Sequence, residues 1–218
     1  MKHLKKFETV TAYNAAILDL PNVSLIEENI SVSYKPYVPE TRVVAKYNVT
    51  STSNPIALRT SYEQNIFKSM EIDDVILDEL VTEYTFSTTG VHTVKYELYD
   101  ETKLGNQAPV FNNIDLVECI IPDNVTIIGD WAFNGCGNLT SVTIGSGVTS
   151  IGSNAFNNCS CLSTITSYIM NAPSVSNGTF SCGNPGGTLY VPIGSSGYET
   201  WMNDSGNLGF YNWTKVEQ

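Results

Sequence analysis

The chain has 218 residues, of which 42% are apolar, 11% aromatic and 15% charged, against roughly 25% charged in an average soluble domain. That is enough chain for one or two domains with a real core, and the composition excludes a wholly disordered protein. Eleven basic and 22 acidic residues leave a net charge of −11, which excludes nucleic-acid binding by phosphate neutralisation and disfavours docking on anionic membranes. No run approaches the length of about 18 apolar residues that a membrane-spanning helix needs, so no membrane insertion is expected.

The N-terminus opens on Met1-Lys2-His3-Leu4-Lys5-Lys6, the basic start of an export signal. The following residues, Phe7 and Glu8 onward, are not an apolar stretch, so the sequence predicts no such signal. Phe7, Val10, Tyr13, Ala16 and Ile17 recur at helical spacing until Pro21 stops the helix. Residues 23–26 and 30–34 flank Glu27-Glu28-Asn29 and read as a β-hairpin. A short helix and a hairpin are too small to stand alone. Residues 1–40 therefore read as an anchoring or assembly segment, with Tyr13, Leu25 and Tyr34 as its contact face.

Residues 41–103 alternate apolar and polar. Residues 43–49, 56–58, 70–72, 84–86 and 91–99 are β-rich, and Ser53-Asn54-Pro55, Asp73-Asp74 and Thr89-Gly90 supply turns between them. Five or more short strands in so short a span predict a small immunoglobulin-like β-sandwich. The charge pattern then changes. Ten basic and fifteen acidic residues precede Gly105, whereas Lys215 and seven acidic residues are all that follow. A domain boundary near residue 104 is expected there.

Beyond it lies a repeat, the strongest signal in the sequence. Ile128-Gly129-Asp130-Trp131-Ala132-Phe133-Asn134-Gly135-Cys136 is answered 23 residues later by Ile151-Gly152-Ser153-Asn154-Ala155-Phe156-Asn157-Asn158-Cys159. Looser copies centre on Phe111 and Phe180, so successive Phe spacings are 22, 23 and 24. Leu139, Val142 and Ile144 alternate with Thr140, Ser141 and Thr143, a half-buried strand. Gly129 and Gly152 suit a tight corner where a side chain would clash. One such turn cannot bury its own apolar side, so the copies must stack into a solenoid over residues 104–218.

The pattern I-G-x-x-A-F-x-x-C-x-x-L-x-x-V/I-x-I-P resembles the BspA-like (Treponema-type) leucine-rich repeat, over Leu104 to Val191. The tail, with Tyr198, Trp201, Phe210 and Trp213, is similar to the closing cap of such arrays. The resemblance implies a non-enzymatic binding or adhesion module of bacterial surfaces or host-contact proteins. Its array of about four turns is shorter than that of many adhesins. The stretch Tyr84 to Tyr96 resembles the sandwich that precedes such repeats in gut Bacteroidales. The N-terminal segment resembles structural proteins of gut Bacteroidales and their phages. The fold class expected is thus mainly β: an N-terminal helix plus hairpin, a small immunoglobulin-like sandwich and a short capped leucine-rich-repeat solenoid.

Catalytic constellations are missing from the pattern. His3 lies in the tail and His92 in a strand, where an ordinary sandwich position outweighs a site role. Cys136, Cys159 and Cys182 recur once per turn and read as a buried ladder of thiols, with an interlayer disulfide or a metal as alternatives. Asp73, Asp74, Asp78, Glu79 and Glu83 read as a solvated acidic loop, with calcium as the alternative. No phosphate-binding or nucleophile-elbow motif occurs. No cofactor and no catalytic or metal residue is expected. Tyr198, Trp201, Tyr211 and Trp213 read first as the cap and second as a distal ligand contact.

Two functions follow. The first is a phage virion structural or decoration protein whose solenoid projects as an adhesin-like head; the missing export signal beside a surface-type module motivates it. The second is a bacterial surface or secreted adhesin for host protein or glycan. Other virion or surface subunits, as a homo-oligomer, are the partners expected, with a glycan or protein receptor.

Overall fold

A computed structural model of the chain describes residues 41–61, 66–105, 108–203 and 206–218. The chain divides into two units, residues 1–40 and 41–218. The helix, the hairpin and the contact residues Tyr13, Leu25 and Tyr34 expected in the first unit lie outside the described residues.

Among the described residues, the regular secondary structure of the second unit is almost wholly strand. In chain order they are β1 (Val43–Val49), β2 (Ile56–Ala57), β3 (Phe67–Ile72), β4 (Val75–Ile76), β5 (Glu83–Tyr84), β6 (Gly90–Leu98) and β7 (Lys103–Leu104). There follow β8 (Leu116–Ile121), β9 (Ile127–Ile128), β10 (Ser141–Ile144), β11 (Ser150–Ile151), β12 (Thr164–Ser167), β13 (Thr188–Val191) and β14 (Thr214–Glu217). A 3-10 turn, Leu208–Tyr211, precedes β14.

The solenoid expected from the repeat is present. β8, β10, β12, β13 and β14 pair in parallel as neighbours, and β7, β9 and β11 form a second parallel sheet. Three coils thus contribute one strand to each sheet and turn a corner between them (β7 and β8, β9 and β10, β11 and β12), while β13 and β14 extend the first sheet alone. The corners are tight enough to dictate residues. A Cβ on Gly147 would fall 1.9 Å from the Asp123 carbonyl oxygen, and one on Gly152 would fall 2.3 Å from Asp130 Oδ1.

Inside, equivalent side chains stack. The rings of Phe133 and Phe156 are 5.0 Å apart and 5° from parallel, and those of Phe156 and Phe180 are 5.4 Å and 7°. The column continues upward through Phe111 to Tyr96 and Phe67, and downward to Trp201 and Tyr198. Polar ladders run beside it at the repeat spacing. Asn157 Nδ2 donates to Asn134 Oδ1 (2.9 Å), and Thr149 Oγ1 donates to the Thr126 carbonyl (3.2 Å).

The structure does not confirm a separate immunoglobulin-like sandwich over residues 41–103. β1, β6, β3 and β4 pair antiparallel, and β1 pairs antiparallel with β8, so nine described strands share one sheet in the order β14-β13-β12-β10-β8-β1-β6-β3-β4. Apart from β7, which belongs to the second solenoid sheet, this segment's other paired strands are β2 and β5, a two-stranded sheet. The physical reason is the open end of the solenoid. The first coil would otherwise present β8 as a bare parallel edge and Phe111 as an uncovered ring. β1 covers the edge, and Tyr96 and Phe67 cover the ring. Tyr47 and Tyr96 are fully buried there, and both hydroxyls reach the Leu58 carbonyl, at 2.6 and 2.9 Å. The composition shift near residue 104 falls inside the first coil, since Thr126 N–H already donates to the Thr102 carbonyl.

Candidate binding surface

Strand alternation decides what the long sheet shows to the outside. Cys119, Val142, Ile165 and Leu189 stand in register and point into the core. Their neighbours face out and form two columns. One runs Glu118, Ser141, Thr164, Thr188, Thr214; the other runs Ile120, Thr143, Thr166, Tyr190, Val216. From β10 to β14 the surface therefore carries one hydroxyl per position, except at Val216, and no charge within these columns. At a strand spacing of about 4.8 Å it is about 14 Å wide. Hydroxyls both donate and accept, so this surface can bond a neutral polar partner in either sense.

The antiparallel half of the same face differs. Lys46 Nζ lies 2.9 Å from Glu118 Oε1, and Lys95 Nζ lies 2.6 Å from Glu71 Oε1 and 2.7 Å from Asp74 Oδ1. Arg42 reaches Glu71 Oε2 at 2.6 Å. The hydrogen bond from Lys95, with that from Arg42, holds the Glu71 carboxyl below the usual glutamate range against the opposing pull of burial. The charges here are spent on one another. The hydroxyl-bearing half is the part left to meet a partner.

The four aromatic residues expected at a distal contact sit as follows. Trp201 and Tyr198 are fully buried, and Trp213 is buried at 5% exposure. Trp201 Nε1 donates to the Pro173 carbonyl (2.8 Å) and Trp213 Nε1 to the Asn184 carbonyl (2.9 Å). Tyr198 Oη donates to the Ile169 carbonyl (2.8 Å) and lies 2.6 Å from Ser167 Oγ, a hydroxyl that replaces the Ile144 of the preceding coil. Tyr211 is half-buried, 3.1 Å from Ser181 Oγ. These rings close the end of the solenoid, and three of them have no face to offer a ligand. The large apolar side chains exposed between residues 168 and 218, among the described residues, are Tyr168, Met170, Ile193, Phe210 and Val216.

His92 has more structure around it than a plain strand position. It lines a cavity of about 220 Å³ with Ile72, Val75, Tyr84 and Phe86. Its Nδ1 lies 2.6 Å from Asp73 Oδ2, and its Nε2 lies 3.0 Å from the Thr88 carbonyl and 3.3 Å from Thr88 Oγ1. The order carboxylate, imidazole, hydroxyl is that of a nucleophile relay. The Thr88 carbonyl changes its meaning. A carbonyl only accepts, so the contact of Nε2 with it is a hydrogen bond only in the form of the ring that carries a proton on Nε2, and in that form Nε2 cannot take one from Thr88. Asp73 also accepts the Thr93 N–H (2.9 Å) across the Asp73-Asp74 turn, where φ is +48° and +67°. The pair ties that turn to β6. Among the described residues, no three His, Cys, Asp or Glu side chains converge as a metal site.

Cys119, Cys136, Cys159 and Cys182 are buried and free. Burial pushes the Cys136 thiol up to about 12, and raises those of Cys119, Cys159 and Cys182 as well. These thiols are packing groups. Cys161 is exposed.

Residues 102–186 match the family model described as BspA type Leucine rich repeat region, in 6 copies. Over those residues the chain is similar to BspA-type leucine-rich repeats. The match spans less than half of the chain and leaves β1 to β6 and the closing cap outside it. No curated protein and no solved structure matches the chain. No described helix is long and apolar enough to cross a membrane.

Proposed function

We propose that residues 41–218 form a non-enzymatic, adhesin-like recognition module, displayed on a surface, that meets its partner through the outer face of the long sheet. The observation that carries this reading is the two in-register columns of Ser141, Thr143, Thr164, Thr166, Thr188 and Tyr190. They are held by a repeat of a type that resembles surface-associated arrays. A neutral hydroxyl surface gives little electrostatic steering, so affinity per site is modest and rests on shape and hydrogen bonds. Multivalent display by a homo-oligomer converts such contacts into avidity. The same module serves on a bacterial surface or on a virion. The repeat likeness supports the adhesin-like use, and immunodetection in cell envelopes against purified phage particles separates the two settings.

The test uses the full chain on arrays of neutral glycans and immobilised glycoproteins. T166E places a charge in the centre of the surface, whereas S150E places one on an exposed position of the second sheet. On the immobilised glycoproteins, T166E is expected to lower binding at least tenfold with S150E unchanged. Equal effects of the two variants refute the surface assignment.

A further inference from the structure

Six described non-glycine residues hold a positive φ, and five of them are Asp or Asn. The sixth is Trp131, at φ 62°. Asp and Asn tolerate the left-handed region because their short side chains bond locally; for a bulky side chain it is an outlier. The repeat shows what this corner asks for. The same position in the next coil is Asn154 (φ 54°), and in the one after it is Gly178 (φ 84°). Trp131 is thus the costly choice of the three.

The side chain of Trp131 is left partly open to solvent. Trp131 is 38% exposed, while the other two tryptophans are buried. Its N–H donates to the Ser153 carbonyl (3.0 Å) and its carbonyl accepts the Asn134 N–H (2.8 Å), backbone bonds that Asn or Gly would make equally well. A bulky residue held in the left-handed region with part of its ring exposed points to a functional position.

We propose that Trp131 is the stacking platform of a carbohydrate-binding subsite that takes the C–H face of a neutral pyranose. The surroundings decide the ligand class. A protein hot spot sets its aromatic anchor in an apolar, water-excluding patch. The corner of Trp131 instead carries Asp130 and, on the next two coils, Ser153, Asn154 and Ser176. Asp130 Oδ1 accepts the Ser153 N–H (2.8 Å), and Ser153 Oγ is 3.4 Å from Ser176 Oγ. A flat apolar ring with a rim of hydroxyls, an amide and a carboxylate complements a sugar, which has an apolar face and a hydroxyl edge. Asp130, Ser153, Asn154 and Ser176 bring no positive charge to this corner, and Lys103 on the preceding coil lies 3.4 Å from Asp100, so the corner does not favour an acidic sugar. The subsite lies between β9 and β10, apart from the outer sheet face.

The experiment compares the full chain with W131Y, W131A and W131N on an array of neutral hexose and N-acetylhexosamine oligosaccharides. Unmodified protein is expected to bind, W131Y to stay within about threefold, and W131A and W131N to lose at least tenfold. The bound oligosaccharide is expected to shield the exposed indole from iodide quenching. W131N is expected to raise the urea midpoint, since it relieves the corner while removing the platform. Three results overturn the proposal: no oligosaccharide bound at millimolar concentration, W131N binding the oligosaccharides like the unmodified chain, or W131N lowering the midpoint. Loss on T166E with retention on W131N assigns the sugar to the sheet face, and so overturns it too.

Discussion

Truncating one ring in the aromatic column tests the account of the solenoid most directly. Phe156 is fully buried, with Phe133 at 5.0 Å on one side and Phe180 at 5.4 Å on the other, both nearly parallel. A buried Phe→Ala change costs about 3–5 kcal/mol through lost transfer energy and the cavity left behind. Each stacked pair adds about 0.5–1.5 kcal/mol beyond burial. F156A is therefore expected to destabilise the chain by about 4 kcal/mol or more, and F156L, which refills most of the volume, by roughly half of that. The sharper measurement is a double-mutant cycle in urea, followed by far-ultraviolet circular dichroism. F133L and F156L share a contact and should couple by about 0.5–1.5 kcal/mol. F111L and F180L lie at opposite ends of a four-ring column, roughly 15 Å apart, and should add to within about 0.5 kcal/mol. Coupling as strong for the distant pair as for the adjacent pair would refute the nearest-neighbour reasoning.

Thiol chemistry and acid titration supply two more predictions. Of the five cysteines, Cys161 alone is exposed, and burial raises the thiols of the other four, so native protein should react with one equivalent of Ellman's reagent and denatured protein with five. Two or more rapid equivalents in the native state would mean that the coils open. The Glu71 carboxyl titrates below its ordinary value in the folded chain, so its contribution to stability is present at neutral pH and is lost as pH falls through the folded value. Urea midpoints should therefore decline below about pH 5, and E71Q should start lower at pH 7 and show a flatter acid limb; an unchanged acid limb in E71Q places the acid sensitivity elsewhere.

The parts of the fold that sequence makes visible are those fixed by repetition. A spacing of 23 residues between Phe133 and Phe156 and between Cys136 and Cys159 is also the spacing of the stacked coils. The arrangement of residues 41–103 is invisible for the opposite reason. The alternation in β1 identifies a strand with one buried side, but it is the same whether the strand closes a sandwich or covers β8. That choice rests on β1 meeting the open edge of β8, where Lys46 stands opposite Glu118, 72 positions away. The tail aromatics are legible as apolar groups in need of cover, yet spacing alone does not tell a ring that closes a core from one that offers a face. Burial of Tyr198, Trp201 and Trp213 does. Trp131 is an intermediate case. Its alignment with Asn154 and Gly178 is readable from the repeat, whereas the left-handed backbone that gives the substitution meaning is a property of the folded corner.

The way the molecule is held together bears on how its surface can be read. Stability in a solenoid is a sum of coil and neighbour terms, and both ends must be covered for the middle to keep its shape. Here β1 with Tyr96 and Phe67 cover one end, and Trp201 with Tyr198 and Trp213 cover the other. Between them the Phe, Asn and Thr ladders fix each coil against the next at several points around its circumference. None of those ladders uses Thr143 or Thr166, whose side chains point away from the core on the outer face. A substitution at either position therefore changes what a partner meets while leaving the coil-to-coil contacts intact. A loss of binding there without a shift in the urea midpoint is evidence about recognition, whereas the same loss accompanied by a midpoint shift is evidence about packing.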